Sequence, residues 1–296
     1  MRFTRRQLIL LLALTAIWGI NWPMMKFSLR EIGPLWFRAL TMSGGALALG
    51  LYFRQRGVAM QLPLAQLPAV ARLAGPNILG WHLFSILGLT QLASGRAATL
   101  GFTMPVWTVL ISIWLGREVM RPRVAIGAAA ALAAVALLSA QEWSTLAGRP
   151  LGVLWMQVAA LCWAGGTIMM RASRLSLPTE AVTVWMMALA SVVFWVLALA
   201  FEAPPAWAGL STGLWLSLVW GVLLNYGYAQ IIWFSMAREL PPSAAAFSIM
   251  AVPLVGSLGA LVIVGEQPHW QDLVAGACVM TAIASVLLPV GGRRSE

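Results

Sequence analysis

The sequence predicts an all-α, polytopic integral membrane protein with ten transmembrane helices in two inverted five-helix repeats. Composition is the first observation, because 60% of the 296 residues are hydrophobic and only 9% are charged, with a mean hydropathy of +0.84. Soluble domains contain about 25% charged residues, so this composition cannot build a water-exposed surface. The other two observations are the spacing of the apolar runs and a set of motifs that occurs once in each half.

Ten apolar runs are long enough to cross a bilayer, which takes about 20 mostly apolar residues per helix. The breaks between the runs are short, and they leave no room for a separate soluble domain. The predicted spans are 7–28, 35–53, 69–90, 96–116, 122–140, 150–170, 180–202, 211–235, 241–264 and 270–290.

The positive charges predict the orientation, since the cytoplasmic loops of membrane proteins are enriched in Lys and Arg. With ten spans both termini share one side, and 14 of the 19 Lys and Arg residues fall on that side. We therefore predict a multi-pass protein of the inner cell membrane with cytoplasmic N- and C-termini. This orientation also accounts for the net charge of +10 without a nucleic-acid partner. The five remaining basic residues are Lys26, Arg30, Arg38, Arg96 and Arg149.

The two halves of the chain share motifs in the same order, which predicts a first repeat over 1–145 and a second over 146–296. Five spans per half is an odd number, so the second half must enter the membrane upside down relative to the first. Secondary transporters commonly have this arrangement, with the substrate site near the midplane between the halves. The matching residues, 145 or 148 positions apart, are Trp18 and Trp163, Pro105 and Pro253, and Glu118 and Glu266.

Three features of the sequence also occur together in one known family. They are the ten spans in two halves, the Pro-x12-Glu spacing in each half, and the segment W-G-x-N-W-P from Trp18 to Pro23. This pattern resembles the drug/metabolite transporter superfamily and its EamA-type members, most of all the YddG-type exporters of aromatic amino acids. The resemblance implies a carrier that exports small amphipathic metabolites by alternating access, without a cofactor. The expected partners are the small-molecule substrate and the lipid bilayer, with a monomer favoured.

Carboxylates are missing from the middle of every span. Small multidrug members of the superfamily use a buried carboxylate in their first helix for proton exchange, whereas this chain has Trp18, Asn21 and Trp22 there. A proton-coupled pump for cationic drugs is therefore disfavoured.

His82 and Gln230 are polar residues at equivalent depths of the third and eighth spans, 148 positions apart. A polar side chain in hydrocarbon is costly unless it faces the protein interior or a wet cavity. We predict that the pair flanks a central substrate cavity. The alternative is a pair of helix–helix hydrogen bonds of about 0.6 kcal/mol each.

Aromatic residues are the second group of candidate substrate contacts. A deep Trp offers a flat surface that stacks on rings or cations, although ordinary packing also explains any single one. We expect Trp163, Trp18, Trp22 and Trp107 to line the cavity, together with Asn21 on the same face as Trp18 and Trp22 and Thr103 beside Trp107. Trp81 and Trp233 are equally deep in their spans.

Pro105 and Pro253 lie inside spans, where each removes a helix hydrogen bond. We predict that they act as hinges during transport, and a static kink is the alternative. Lys26, Arg38 and Arg171 are expected to reach the membrane surface with their charged ends. The alternative is that one of these three residues binds a substrate carboxylate in the outer vestibule.

Other functions fit the sequence less well. A nucleotide-sugar or phosphate-ester exchanger needs basic groups at the midplane, and Lys and Arg are expected at the helix ends. An intramembrane serine protease needs a Ser–His pair, and His82 is the only histidine inside a predicted span. An aspartyl protease needs two membrane Asp residues, and no Asp lies in the middle of a span. No metal-ligand spacing is present either. Cys162 and Cys278 lie in apolar runs as packing residues. A channel stays open as a further alternative.

Overall fold

The computed structural model describes residues 4–144, 149–239 and 242–287, of which 142–144, 236–239, 242–250 and 286–287 are described as backbone only. All regular structure in these ranges is helical, without a strand. The ten helices are α1 Arg5–Ser28, α2 Pro34–Gln55, α3 (Leu67–Ala74, Gly75–Gly80 and Trp81–Gln91), α4 (Ser94–Gly101 and Met104–Trp114), α5 Pro122–Ser144, α6 Pro150–Ala172, α7 Thr179–Phe201, α8 (Thr212–Val219, Trp220–Tyr228 and Ala229–Glu239), α9 Pro242–Ile263 and α10 Trp270–Leu287.

The helices coincide with the predicted spans, and each described end lies within four residues of the predicted one. Helices α1, α4, α5, α6 and α7 are each long and apolar enough to cross a membrane, and the apolar described part of α9 is Ala251–Ile263. The predicted all-helical membrane fold is confirmed. The predicted boundary between the repeats, at 145 and 146, lies outside the described residues.

Local sequence explains where the helices begin and end. Thr4 caps α1, accepting a hydrogen bond from the backbone N–H of Gln7 at 3.2 Å while the Gln7 side chain accepts from the backbone of Thr4. Helices α4 and α9 both stop at a glycine with positive φ, Gly116 at 69° and Gly265 at 74°. That left-handed conformation is open to glycine at little cost, so these two matched glycines end matched helices.

Two helices contain a π-helical segment, and the two segments lie at equivalent places in the halves. Gly75–Gly80 interrupts α3 and Trp220–Tyr228 interrupts α8. Asn77 and Asn225 lie 148 positions apart within them, the same offset that relates His82 to Gln230. Because π segments inside α-helices are frequent at functional sites, the residues around these two segments are candidates for the functional site.

The helix pairs repeat between the halves. Helix α1 packs on α9 and α8, and in the same way α6 packs on α4 and α3. Helices α2 and α7 pack on each other, as do α5 and α10. The contacts between α2 and α8 correspond to those between α7 and α3. This exchange of equivalent helices is the pattern of a pseudo-two-fold axis between two like units.

Two polar contacts follow the same symmetry. Glu31, between α1 and α2, accepts a hydrogen bond from the backbone N–H of Ser211 at 2.8 Å. Gln66, before α3, accepts one from the backbone N–H of Ser176 at 3.3 Å. Ser176 lies 145 positions after Glu31, and Ser211 lies 145 positions after Gln66. The contact between the loop after the first helix of one half and the start of the third helix of the other half is thus made twice.

Candidate functional site

The ring of Trp163 lies against an aromatic partner on a neighbouring helix, and so does the ring of its counterpart Trp18. Trp163 of α6 lies 5.3 Å from Trp81 of α3, with the two planes at 64°. Trp18 of α1 lies 5.6 Å from Trp233 of α8, with the planes at 46°. All four rings are partly exposed. Equivalent positions of the two repeats therefore place an indole ring on an aromatic neighbour inside the helix bundle.

Trp22 extends the aromatic surface within the first half. Its ring lies 6.4 Å from that of Trp81 in an edge-on arrangement, and it is almost fully buried. A methyl group added to Gly101 would meet both Trp22 and Trp81, so this glycine allows α4 to approach the two rings. Trp22, Trp81 and Trp163 thus form a continuous aromatic chain that joins α1, α3 and α6.

His82 lies at the end of the first π segment and is buried. Its Nδ1 atom lies 2.8 Å from the carbonyl oxygen of Ile78, and because a carbonyl only accepts, Nδ1 carries the proton. The neutral ring then has a free lone pair on Nε2. The ring lies 5.5 Å from that of Tyr226 in α8, which brings the two π segments together.

Four amide side chains in α1, α3 and α8 have no hydrogen-bond partner among the described residues. Asn21 and Asn77 are each 8% exposed, and Asn225 and Gln230 are partly exposed. Asn225 lies between Leu224, which packs toward α1, and Tyr226, which contacts Gly45 of α2. Buried amides normally find partners, so these groups are suited to bind water or a solute. Asn77 and Asn225 were not predicted as site residues, although their 148-position spacing is visible in the sequence.

Thr103 and Trp107 are both tied to Gln157 of α6. The Trp107 Nε1 atom donates to Gln157 Oε1 at 3.0 Å, and the amide of Gln157 donates to the carbonyl of Leu100 at 3.3 Å. Helix α4 is interrupted at Phe102 and Thr103, just before Pro105. Gln157 therefore repairs the break beside the proline, and Thr103 is only 1% exposed.

The two predicted hinge prolines differ in their surroundings. Pro105 lies in the first turn of the second part of α4, directly after the break. Pro253 lies inside α9, which continues as α-helix through it. Their role in motion stays a prediction.

Arg38 is buried, so the prediction that its charged end reaches the membrane surface is wrong. It is 3% exposed and donates to the Tyr226 hydroxyl at 3.1 Å, to Ser85 Oγ at 3.1 Å and to the carbonyl of His82 at 3.2 Å. The sequence suggested a surface position because Arg38 is close to the start of α2. Only the fold shows that α3 and α8 supply three oxygen acceptors around its guanidinium.

Lys26 and Arg171, the other two basic residues that we expected at the membrane surface, lie at helix ends. The Lys26 ammonium donates to the carbonyls of Leu89 and Leu92 at 2.7 and 2.8 Å, where α3 ends. Arg171 is exposed near the end of α6. Lys26 therefore caps a helix C-terminus, where a positive charge also interacts favourably with the helix dipole.

The ends of the helices that the charge distribution predicts to face outward are joined by several bonds between the halves. Glu202 accepts hydrogen bonds from the backbone N–H groups of Leu35 and Trp36, both at 3.0 Å. Ser28 and Ser217 are hydrogen-bonded at 2.6 Å. A cavity of about 230 Å³ lies at this end, and Lys26, one of the three residues considered for a substrate carboxylate, lines it. Its walls are Lys26, Leu29, Arg30, Pro34, Thr90, Val264 and Glu266.

Within the described residues, no group of three or more His, Cys, Asp or Glu side chains is placed to hold a metal ion. The interior thus offers indole rings, uncharged amides, the imidazole of His82 and the buried guanidinium of Arg38. The other buried arginine, Arg96, is paired with Asp272 at 2.8 Å.

Comparison with known proteins identifies the family. The model of the EamA-like transporter family matches residues 5–140 and again residues 150–288. The chain belongs to the EamA-like transporter family. The match occurs once in each half, as expected for a membrane protein made of two repeats. Because the family is one of transporters, the chain is a membrane transporter.

Three similar relatives carry transporter names as well. The chain is 26% identical to the uncharacterized transporter YoaV of Bacillus subtilis (strain 168), over 83% of this chain and 84% of that one. It is 27% identical to the uncharacterized transporter YvbV of the same organism, over 95% and 91%. It is 25% identical to the uncharacterized inner membrane transporter YedA of Escherichia coli (strain K12), over 94% and 89%.

A solved crystal structure also has this fold. It superposes with a TM-score of 0.66 at 21% sequence identity and covers 96% of each chain. At that identity the likeness concerns the fold alone.

Proposed function

We propose that this EamA-like transporter exports small amphipathic metabolites by alternating access between its two halves, with aromatic amino acids as the favoured substrates. The observation that supports this proposal most is that Trp163 and its counterpart Trp18 each lie against an aromatic ring, that of Trp81 and that of Trp233. Stacked or edge-on aromatic contacts contribute about 0.5–1.5 kcal/mol beyond the burial of area. A substrate ring that enters between such pairs can replace one aromatic contact with another.

The uncharged amides near these rings suit the polar part of such a substrate. Asn21, Asn77, Asn225 and Gln230 lack hydrogen-bond partners in the described part of the chain. Unsatisfied polar groups at membrane depth are costly, and a polar solute or water that binds them removes that cost. An amphipathic molecule with one ring and several polar groups fits this combination.

Two alternative substrate classes fit the interior less well. The buried positive charge of Arg38 disfavours cationic drugs through electrostatic repulsion in a medium of low dielectric constant. Arg38 does provide the interior cation that a phosphate-ester exchanger needs. A dianionic phosphate calls for more than one cation, however, and Lys26 and Arg171 lie at helix ends.

Efflux from proteoliposomes tests the proposed function. Purified protein is reconstituted, the vesicles are loaded with radiolabelled tryptophan, and efflux is measured over a range of internal concentrations. We expect saturable efflux of tryptophan that exceeds both the efflux of alanine and the leak from empty liposomes. Efflux that rises linearly with concentration indicates a channel, and efflux of a sugar phosphate without any of tryptophan indicates the exchanger; either result contradicts the proposal.

A further inference from the structure

Arg38 carries a full positive charge inside the helix bundle. Among the Asp and Glu residues whose side chains are described, none forms an ion pair with it. Its bonded partners are a phenol, a hydroxyl and a peptide carbonyl. Buried ions are expensive to remove from water and normally have an opposite charge close by, so an uncompensated guanidinium in a membrane protein points to an anionic ligand.

The hydrogen-bonding capacity of this cluster is not exhausted. A guanidinium has five N–H donors, and three of them are used by Tyr226, Ser85 and the carbonyl of His82. The Tyr226 hydroxyl accepts from Arg38 and keeps its own proton to donate. The cluster therefore holds free N–H donors next to a free O–H donor, which is the arrangement that a carboxylate needs.

The cluster also borders the residues assigned to the substrate. His82 follows Trp81 directly in α3, and Tyr226 precedes Gln230 by four positions in α8. The His82 ring lies against the Tyr226 ring and presents an unoccupied Nε2 acceptor. Gly45 allows Tyr226 to approach α2 closely, because a methyl group on Gly45 would lie 2.4 Å from the Cβ of Tyr226.

We propose that Arg38, with the Tyr226 hydroxyl, binds the carboxylate of the transported substrate. This inference rests on the proposed function and narrows it to carboxylate-bearing substrates. Arg38 joins α2 and α3 of the first half to α8 of the second, so a carboxylate bound there contacts both halves at once. A carboxylate that accepts from the two unused N–H donors compensates the buried charge.

Equilibrium binding to the purified protein tests the inference separately from transport. The probes are radiolabelled tryptophan and tryptamine, which share the ring and the amine and differ in the carboxylate. We expect Arg38→Gln to weaken tryptophan binding by about tenfold to a hundredfold, as expected for a lost hydrogen bond to a charged group. Tryptamine binding should not weaken, because the substitution removes a positive charge that repels its amine. Arg38→Lys should recover part of the loss, because it restores the charge without the planar fork.

The control is Arg56→Gln, an exposed arginine just after the same helix, which should bind both probes as the wild type does. If Arg38→Gln does not fold, Tyr226→Phe keeps the ring and should still weaken tryptophan binding selectively. Equal losses for tryptophan and tryptamine show a purely structural arginine and overturn the inference. Unchanged tryptophan binding in Arg38→Gln, or no tryptophan binding by the wild type, overturns it as well. Selective tryptophan binding without any efflux from proteoliposomes instead leaves the inference standing and contradicts the proposed export function.

Discussion

Trp163 and Trp81 meet with their ring centres 5.3 Å apart, and this contact joins the first helix of the second half to the third helix of the first half. The rings are partly exposed, and the neighbouring Gly165 has open space around its Cα. A ring that makes an edge-on aromatic contact and is also accessible is well placed to exchange its partner for a substrate.

We therefore expect Trp163→Ala to raise the half-saturation concentration for an aromatic substrate by about threefold to tenfold, the effect of losing one aromatic contact. The effect on a small aliphatic substrate should be smaller. Trp114→Ala is the control, since Trp114 is 83% exposed on the outer surface of the bundle. Transport kinetics in proteoliposomes measure both, and unchanged kinetics in a normally expressed Trp163→Ala protein remove this residue from the site.

Two adjacent glycines in α6 allow a matched test of how closely α6 approaches α3. A methyl group on Gly166 would lie 2.7 Å from the Cα of Asn77, whereas one on Gly165 would meet nothing within 4 Å. We expect Gly166→Ala to destabilise the protein by about 1–3 kcal/mol through overpacking. Gly165→Ala should be neutral or slightly stabilising because Ala favours helices.

Thermal unfolding in detergent measures this difference between the two alanine variants. Equal melting temperatures of the two variants contradict the close contact at the first π segment.

The contact of Glu31 with Ser211 predicts a dependence of stability on pH. The hydrogen bonds from the Ser211 side chain and backbone lower the pKa of Glu31 from its ordinary value of 4.5. Because the pKa is lower in the folded state, the contact stabilises the protein above the ordinary value and loses this effect as the pH falls through the folded-state pKa. We expect the melting temperature of the wild type to fall more steeply below about pH 4.5 than that of Glu31→Gln.

Ser211→Ala keeps the carboxylate of Glu31 and removes the hydroxyl that bonds to it. The melting temperature of this variant should therefore fall less steeply at acid pH than that of the wild type. Identical acid profiles for the wild type and both variants show that the contact does not form in solution.

The sequence was sufficient for the architecture and insufficient for the interior. Long apolar runs separated by Gly, Pro and charges set the helices, so all ten were predicted within a few residues. Matched motifs likewise predicted two related halves. Each of these features is local or periodic, and the length of apolar sequence alone determines what can cross a bilayer.

The position of Arg38 shows what local sequence does not contain. Its burial depends on α2 packing against α8 at Gly45, and on the π segment that directs Tyr226 toward it. Gln157 was missed for the same reason, because its partners Leu100 and Trp107 come from a different helix. The sequence did offer signals of interior polar residues, namely the repeat of His82 at Gln230, which was used, and that of Asn77 at Asn225, which was missed.

The placement of the carboxylates leads to a prediction about energy coupling. Those of the described side chains lie in loops or at helix ends, and the Nδ1 atom of His82 is bonded to the carbonyl oxygen of Ile78. We expect transport to follow the substrate gradient, so that an imposed pH gradient alone drives no uphill export. His82→Gln should leave this behaviour unchanged. Uphill export driven by a pH gradient in the wild type and lost in His82→Gln means that the histidine carries protons.

Substrate protection of Asn225→Cys tests whether the substrate occupies the interior between the halves. The variant is made in a protein whose Cys162 and Cys278 are replaced by Ala and which still transports tryptophan. The matched control is Leu223→Cys, on the same π segment but 53% exposed on the outer surface. Saturating tryptophan should slow thiol modification of Asn225→Cys and leave that of Leu223→Cys unchanged. Equal modification rates with and without tryptophan at both positions contradict the account.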